Sequence, residues 1–463
     1  MSEADTLKSP YADPRITTKA QNAFGLRLLR ELTAHAPRQN VFLSPTSVFM
    51  ALLLAELGAS GETGRAIRQA LQVPPDVSSA SLGRSAAAHA SQLRAHQSVL
   101  LAVATSLWTD KRLPLDPNFI AMAREVCQGK ADTLDFSDPA AAETVNSWVR
   151  KATGNLLDGI VTSDALAGSK CLLACAVYFA GKWQDPFDAE LTRTGPFYLW
   201  DGAEKELSFM SSPGHRGIYR RGSRYEGAVM RYCMGPGGMG VEFGILLPER
   251  GTGPEEVLAN LDAGTLFEQH HYVDLDLRMP KFSVRFSANL RTALERMGME
   301  RAFRYPEADF ELMGSPEFVL DGVVHQSRLE LDEEGTVAAA ETISHVPVGA
   351  GRPREYEQRE LVIDRPFAVL LRDSNDTILF VGVVYDPQPL EVSQKSAGGF
   401  PTDRSDGEGG DLHRADEAVG LHDTSGFDFG VYGGEAVVQG GSDSDGESIL
   451  ARFQRWAKVT FGA

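Results

Sequence analysis

The segment that most constrains this chain is Leu331–Val346, which reads LDEEGTVAAAETISHV. An acidic turn gives way to one glycine and then to a run of very small residues. Taken alone, the run suits an exposed helix or a flexible loop. Its alternation is more informative. Thr336, Ala338, Ala340, Thr342, Ser344 and Val346 are small or β-branched, and Val337, Ala339, Glu341, Ile343 and His345 take the places between. Strand side chains alternate with period two, so the first set can face a packed core while Glu341 and His345 stay in water. The segment can therefore pair as a central strand with nothing bulky or charged on its inner face. Few loops are built that way.

Composition then divides the chain. Its 463 residues carry 45 Lys and Arg against 63 Asp and Glu, a formal net charge of -18. That is chain enough for two or three domains, or for one large domain with an appendage. After Pro387 the character changes: Gln388–Ala463 holds 14 of the 45 glycines, and 13 acidic residues against 6 basic ones. Runs such as SDGEGG (Ser405–Gly410) bury too little apolar surface to offset chain entropy. A disordered, acidic, Gly-rich linker is therefore expected over Gln388–Glu447. In Ser448–Ala463, Ile449, Phe453, Trp456 and Thr460 recur at helical spacing opposite Arg452, Arg455 and Lys458. That stretch suits an amphipathic helix docking on the body, a partner or a membrane surface, or a marginal helix that frays in solution. Residues 1–15 read as an N-terminal extension without the apolar run of a signal peptide. A cytoplasmic protein is expected on that ground, with unconventional export left open.

Between these ends, residues 16–387 read as one interleaved α+β body. Helical patterns fill Thr18–Leu32, Pro45–Leu57, Thr63–Leu71, Asp138–Leu157 and Ser287–Met297. Strand patterns fill Lys170–Ala180, Met239–Leu247, Val273–Val284, Val323–Leu331, Phe367–Arg372 and Ile378–Val384. Several function classes fall away. The net negative charge argues against nucleic acid or an anionic membrane as the main partner. Four cysteines (Cys127, Cys171, Cys175 and Cys233) make no disulfide scaffold and read as buried small hydrophobes. Cys171 and Cys175 lie in a strand pattern, and no His or Cys pair completes a metal site with them. No Gly-x-Ser-x-Gly elbow, Walker loop or His-Glu-x-x-His pair occurs. Neither an enzyme nor a metal or cofactor is expected. The GPGGMG run at Gly235–Gly240 opens no helix, and Arg216, Arg220, Arg221 and Arg224 read as the solvated face of a strand pair.

On these residues the chain resembles the serpins. Asn40–Leu71 (NVFLSPTSVFMALLLAELGASGETGRAIRQAL) is similar to the family's Ser-Pro-x-Ser block and following helix. Asn146–Ile160 (NSWVRKATGNLLDGI) and Val177–Phe187 (VYFAGKWQDPF) match the Asn-x-Trp-Val helix and the Gly-x-Trp strand end. Met279–Phe282 (MPKF), Leu294–Phe303, Ala308–Phe310, Arg365–Phe367 (RPF) and Leu379–Pro387 (LFVGVVYDP) follow in the family's order. The acidic tail lies outside the resemblance.

The resemblance implies an α+β serpin fold with three β-sheets, about eight or nine helices and an exposed reactive-centre loop at about 333–360. The kind implied is a prokaryotic-type inhibitory serpin with an extra acidic C-terminal tail. Such a protein is a suicide inhibitor of serine-type endopeptidases. The protease cleaves the loop and forms an acyl-enzyme, and the cut loop then inserts as a central strand. Insertion drags the protease to the opposite pole and distorts it. The implied hinge is Glu333, Glu334, Gly335, Thr336, Val337, Ala338, Ala339, Ala340, Glu341 and Thr342. Ser44, Ser47 and His325 match the polar cluster where the sheet parts, Cys175 stands where the family usually has Asn, and Trp183 sits where the loop enters. A thiol is a poor hydrogen-bond partner, which puts the energetics of that latch in question.

The usual spacing from Gly335 sets the reactive bond at Gly349–Ala350, suiting an elastase-like or subtilisin-like protease. The alternative, Arg354–Glu355, suits a trypsin-like one. Extended, Thr336–Gly349 spans roughly 46 Å, enough to carry a protease about one protein diameter. The partner expected is a target serine protease met by a monomer, without nucleic acid, membrane or cofactor. The competing expectation is a non-inhibitory serpin-fold binding or chaperone-like protein.

Overall fold

The structure, a computed structural model, describes residues 11–94, 99–234, 240–259, 271–336 and 356–390. Among them nine α-helices occur: α1 (Pro14–His35), α2 (Pro45–Leu57), α3 (Gly61–Ala70), α4 (Ser79–Arg94), α5 (Pro117–Cys127), α6 (Ala140–Ala152) and the short α7 (Ser163–Leu166), α8 (Pro254–Ala259) and α9 (Arg291–Leu294). Helix α2 organises the rest. It starts where Ser44 accepts a hydrogen bond from the Ser47 N–H and Pro45 takes the first turn, and it stops before Gly58. Pro45–Ala55 is buried on every side, as an all-round apolar helix must be. Helix α1 crosses it closely at Gly25, where a Cβ would lie 2.4 Å from Pro45 Cγ.

Two hydrogen-bonded sheets flank this helix. The smaller runs in the order β10 (Phe282–Asn289), β11 (Gly322–Leu331), β4 (Cys171–Lys182), β2 (Val99–Asp110), β3 (Lys130–Leu134). The two-residue β12 (Gly335–Thr336) sits on β4. The larger runs β1 (Val41–Leu43), β15 (Ile378–Val384), β14 (Phe367–Asp373), β8 (Val241–Pro248), β7 (Tyr225–Arg231), β6 (Glu204–Arg221), β9 (His271–Pro280), β13 (Gln358–Val362), with β5 (Arg193–Tyr198) also on β6. The three expected sheets thus appear as two, because the long β6 carries hydrogen bonds across an irregularity between Ser212 and His215.

The central strand β4 is buried along Cys171–Gly181, which accounts for its unbroken apolar run. Cys171, Leu173 and Cys175 join the core around α2, and Val177 and Phe179 join the core between the sheets. Ala174, Ala176 and Tyr178 pack on the other face with Val145 and Val149 of α6. Two sequence expectations change. Ser287–Asn289 is strand, since β10 keeps its ladder with β11 as far as Asn289↔Val324, and only Arg291–Leu294 is α-helical. The Val273–Val284 pattern is two strands, β9 and β10, parted at Lys281. The body also reaches past Pro387: Ser283 N–H donates to Gln388 O at 2.7 Å, and Lys205 Nζ donates to Gln388 Oε1 at 3.3 Å.

Candidate functional site

The structure gathers the described candidate residues into two clusters on β4. The first lies at mid-strand, over the N-terminus of α2. His325 of β11 stands opposite Cys175. Its Nε2 accepts the Ser44 N–H at 3.2 Å, and its Nδ1 donates to Cys175 O at 3.1 Å. With one nitrogen accepting and the other donating, the ring is neutral. Burial pushes its pKa down to about 4, against the raising effect of the bond to Cys175 O. Cys175 Sγ donates to Val324 O at 3.4 Å and lies 3.6 Å from His325 Nδ1. Burial pushes this thiol up to about 12, so it stays protonated. Ser47 Oγ lies beside the thiol, yet no hydrogen bond of acceptable geometry reaches it. Above this row the strands separate: the β4–β11 ladder ends at Tyr178↔Arg328.

The second cluster fills that mouth. Asp332–Gly335 forms a tight turn in which the Asp332 carboxylate accepts the N–H groups of Glu334 (3.0 Å) and Gly335 (3.1 Å). Burial raises the Asp332 pKa to about 6, with these two bonds working against the shift. Trp183 clamps the turn, its N–H donating to Glu334 O at 2.9 Å and its Nε1–H to Asp332 O at 3.1 Å. Glu333 accepts Thr192 Oγ1–H at 2.6 Å and pairs with Lys281 Nζ at 2.5 Å. Burial works to raise its pKa, but the bonds from Lys281 and Thr192 hold it below the usual range.

Gly335 then turns the chain into β12, pairing Gly335 with Lys182 and Thr336 with Gly181 in antiparallel register. Its φ is +153°, and a Cβ there would lie 2.0 Å from Gly181 O, so only glycine fits. Thr336 is fully buried, its hydroxyl 2.6 Å from that of Tyr232, whose ring stacks on Trp183 at 4.4 Å.

Sequence reasoning reached Ser44, Ser47, Cys175, Trp183, His325 and Glu333–Thr336, but missed Tyr232, Lys281 and Thr192. Each of these lies far along the chain from the residue it touches; Lys281 stands within the MPKF block, which does not mark it as the partner of Glu333, and Tyr232 and Thr192 carry no local signal. Val337, Ala338, Ala339, Ala340, Glu341 and Thr342 lie outside the described residues. So do the bonds Gly349–Ala350 and Arg354–Glu355, and the tail beyond Leu390.

Comparisons with known proteins match this geometry to one family. The family model described as Serpin (serine protease inhibitor) matches residues 19–387. Serpin-Z1C of Triticum aestivum is 33% identical over 405 residues, covering 81% of this chain and 97% of the relative. Serpin-ZXA of Oryza sativa subsp. japonica is 30% identical, covering 81% and 98%. Among solved structures, Arabidopsis AtSerpin1 in its native stressed conformation superposes with a TM-score of 0.71 at 23% identity, covering 81% of this chain and 99% of that one. Human thyroxine-binding globulin does so with 0.70 at 24% identity, covering 81% and 100%. At these identities the two structures speak to the fold alone.

Proposed function

The chain belongs to the serpin family, whose members are in general protease inhibitors rather than enzymes, and from that premise we propose that it traps a serine-type endopeptidase as a suicide substrate. One observation carries this reading. Gly335 and Thr336 already form the first two rungs of a strand on β4, at the mouth where β4 and β11 separate. Extending that register down β4 sets Ala338 opposite Phe179, Ala340 opposite Val177 and Thr342 opposite Cys175. Directly opposed residues of an antiparallel pair share a face. These three loop residues would therefore enter the core side of the sheet, where only small side chains fit between packed layers. The sequence supplies small side chains there.

The bond attacked is Gly349–Ala350 for an elastase-like or subtilisin-like target, with Arg354–Glu355 as the trypsin-like alternative. Incubation with a small protease panel tests the reading. A complex that survives boiling in SDS is expected, and mass spectrometry of the released peptide fixes the bond. Cleavage by all three protease classes without a trapped complex would leave the non-inhibitory reading, a serpin-fold binding or chaperone-like protein.

A further inference from the structure

The mid-strand cluster extends one strand further than the residues named so far. Thr105 of β2 stands opposite Cys175 of β4, which stands opposite His325 of β11, so the three form one row across the sheet. The row faces α2: Cys175 belongs to the core around that helix, and Thr105 lies by Gly129, where a Cβ would meet Leu54 of α2. Ser44, Ser47, Cys175 and His325 are wholly buried, and Thr105 is 5% exposed.

Two hydroxyls at this row, Thr105 Oγ1 within it and Ser47 Oγ of α2 beside the Cys175 thiol, make no hydrogen bond of acceptable geometry to any described residue. Buried hydroxyls are ordinarily bonded, and one left unmade raises the energy of the state that buries it. The reason lies between them. Cys175 offers one weak S–H donor, already directed at Val324 O, and a sulfur that accepts poorly. His325 has both ring nitrogens engaged with backbone groups, leaving no strong acceptor for either hydroxyl.

We propose that Cys175 keeps the row under-bonded and thereby sets how readily β4 and β11 part, making it a positioning residue for strand insertion. The closed sheet carries two buried hydroxyls that an amide or hydroxyl at position 175 would satisfy, and parting the strands frees them to find partners. The role in insertion rests on the trapping mechanism proposed above; the looseness of the closed sheet does not.

Substitution at three positions tests it, with thermal melting of the uncleaved protein as the first readout. Cys175→Asn supplies an acceptor and two donors, and is expected to raise the melting temperature by a few degrees and slow insertion on the order of tenfold. Cys175→Ser, which adds no volume, should move both in the same direction by less. Thr105→Val removes one orphan hydroxyl and should stabilise the wild-type background, yet lose that benefit in the Cys175→Asn background, where the hydroxyl is bonded.

The second readout is alkylation of the uncleaved protein, resolved by peptide mass spectrometry. Cys175 should label faster than Cys171, which is equally buried in the same strand. Thr105→Val should slow that labelling. Unchanged melting in both Cys175 variants, equal labelling of the two thiols, or the same Thr105→Val effect in both backgrounds would each overturn the proposal. Because melting and alkylation use uncleaved protein, they stand even if no protease is trapped, which separates a failure here from a failure of the trapping mechanism.

Discussion

The fully buried His325 and the half-buried Asp332 titrate with opposite effects on stability. The His325 pKa is depressed to about 4, so between that value and about 6.5 the unfolded chain binds a proton that the folded one refuses. Its contribution to stability is complete above pH 6.5 and drains away as the pH falls toward 4, by up to about 3 kcal/mol. Asp332, raised to about 6, has the opposite sign: its protonated form suits the fold, so its contribution is present below about pH 4 and lost as the pH rises through 6. Over pH 4–6 these two slopes oppose each other. His325→Gln removes one partner of that balance. The variant should be less stable than wild type at pH 7, and the deficit should shrink by up to about 3 kcal/mol at pH 4.5. Thermal melting of both proteins at the two pH values checks this, and a deficit independent of pH would mean that His325 does not titrate in this window.

Elements make a different demand, because a strand site admits a side chain according to its face. If the loop inserts in the register set by β12, Ala340 would fall opposite Val177, a residue of the core between the sheets. Ala340→Arg would bring an unpaired charge into that core at a cost of several kcal/mol. It is expected to turn the protein from trap to substrate, with the loop cut and at least tenfold less SDS-stable complex. Ala340→Ser, small enough for the same inner face, should leave the yield within about twofold. Equal yields from the two variants would contradict the register. That Gly335–Thr336 opens a strand was legible from the alternation that starts there, because period two belongs to one short stretch of chain. What covers the other face of the sheet was not: Ala174, Ala176 and Tyr178 of β4 lie under α6. The pattern of one strand does not say which helix lands on it. Helix α2 was readable to the residue from Ser44, Pro45 and its apolar length. The strand end at Ser287–Asn289 was misread because its side chains fit a helix equally well, and only the ladder to β11 decides.

For the whole molecule the question is whether the described fold is its most stable arrangement. Inserting Thr336–Val346 as a full strand would pair a segment of 11 residues with β4 on one edge and β11 on the other. That adds on the order of ten backbone hydrogen bonds, each worth about 1 kcal/mol net. Chain ordering and the burial of small side chains oppose each other beyond that sum. With an unfolding entropy of about 2.1 cal/mol/K per residue over a body of about 370 residues, roughly 10 kcal/mol raises the melting temperature by about 13 °C. Loop cleavage should therefore raise the melting temperature by at least about that amount, and an unchanged melt would show that no insertion occurs. The tail should not enter this balance. It carries 13 acidic and 6 basic residues after Pro387, while the residues through Pro387 hold the other 50 and 39, so the body is only mildly acidic for its size. A truncation must nevertheless spare Gln388, which bonds Ser283 through both backbone groups at 2.7 and 3.2 Å. Ending the chain at Leu390 is expected to leave both the uncleaved and the cleaved melting temperatures within about 2 °C, because a Gly-rich acidic sequence brings little apolar surface to a fold. Ending it at Pro387 should lower the uncleaved value by more, since Ser283 and Lys205 then lose their partners on Gln388. A loss of the cleavage-induced rise on removing residues 391–463 would instead make the tail part of the insertion machinery.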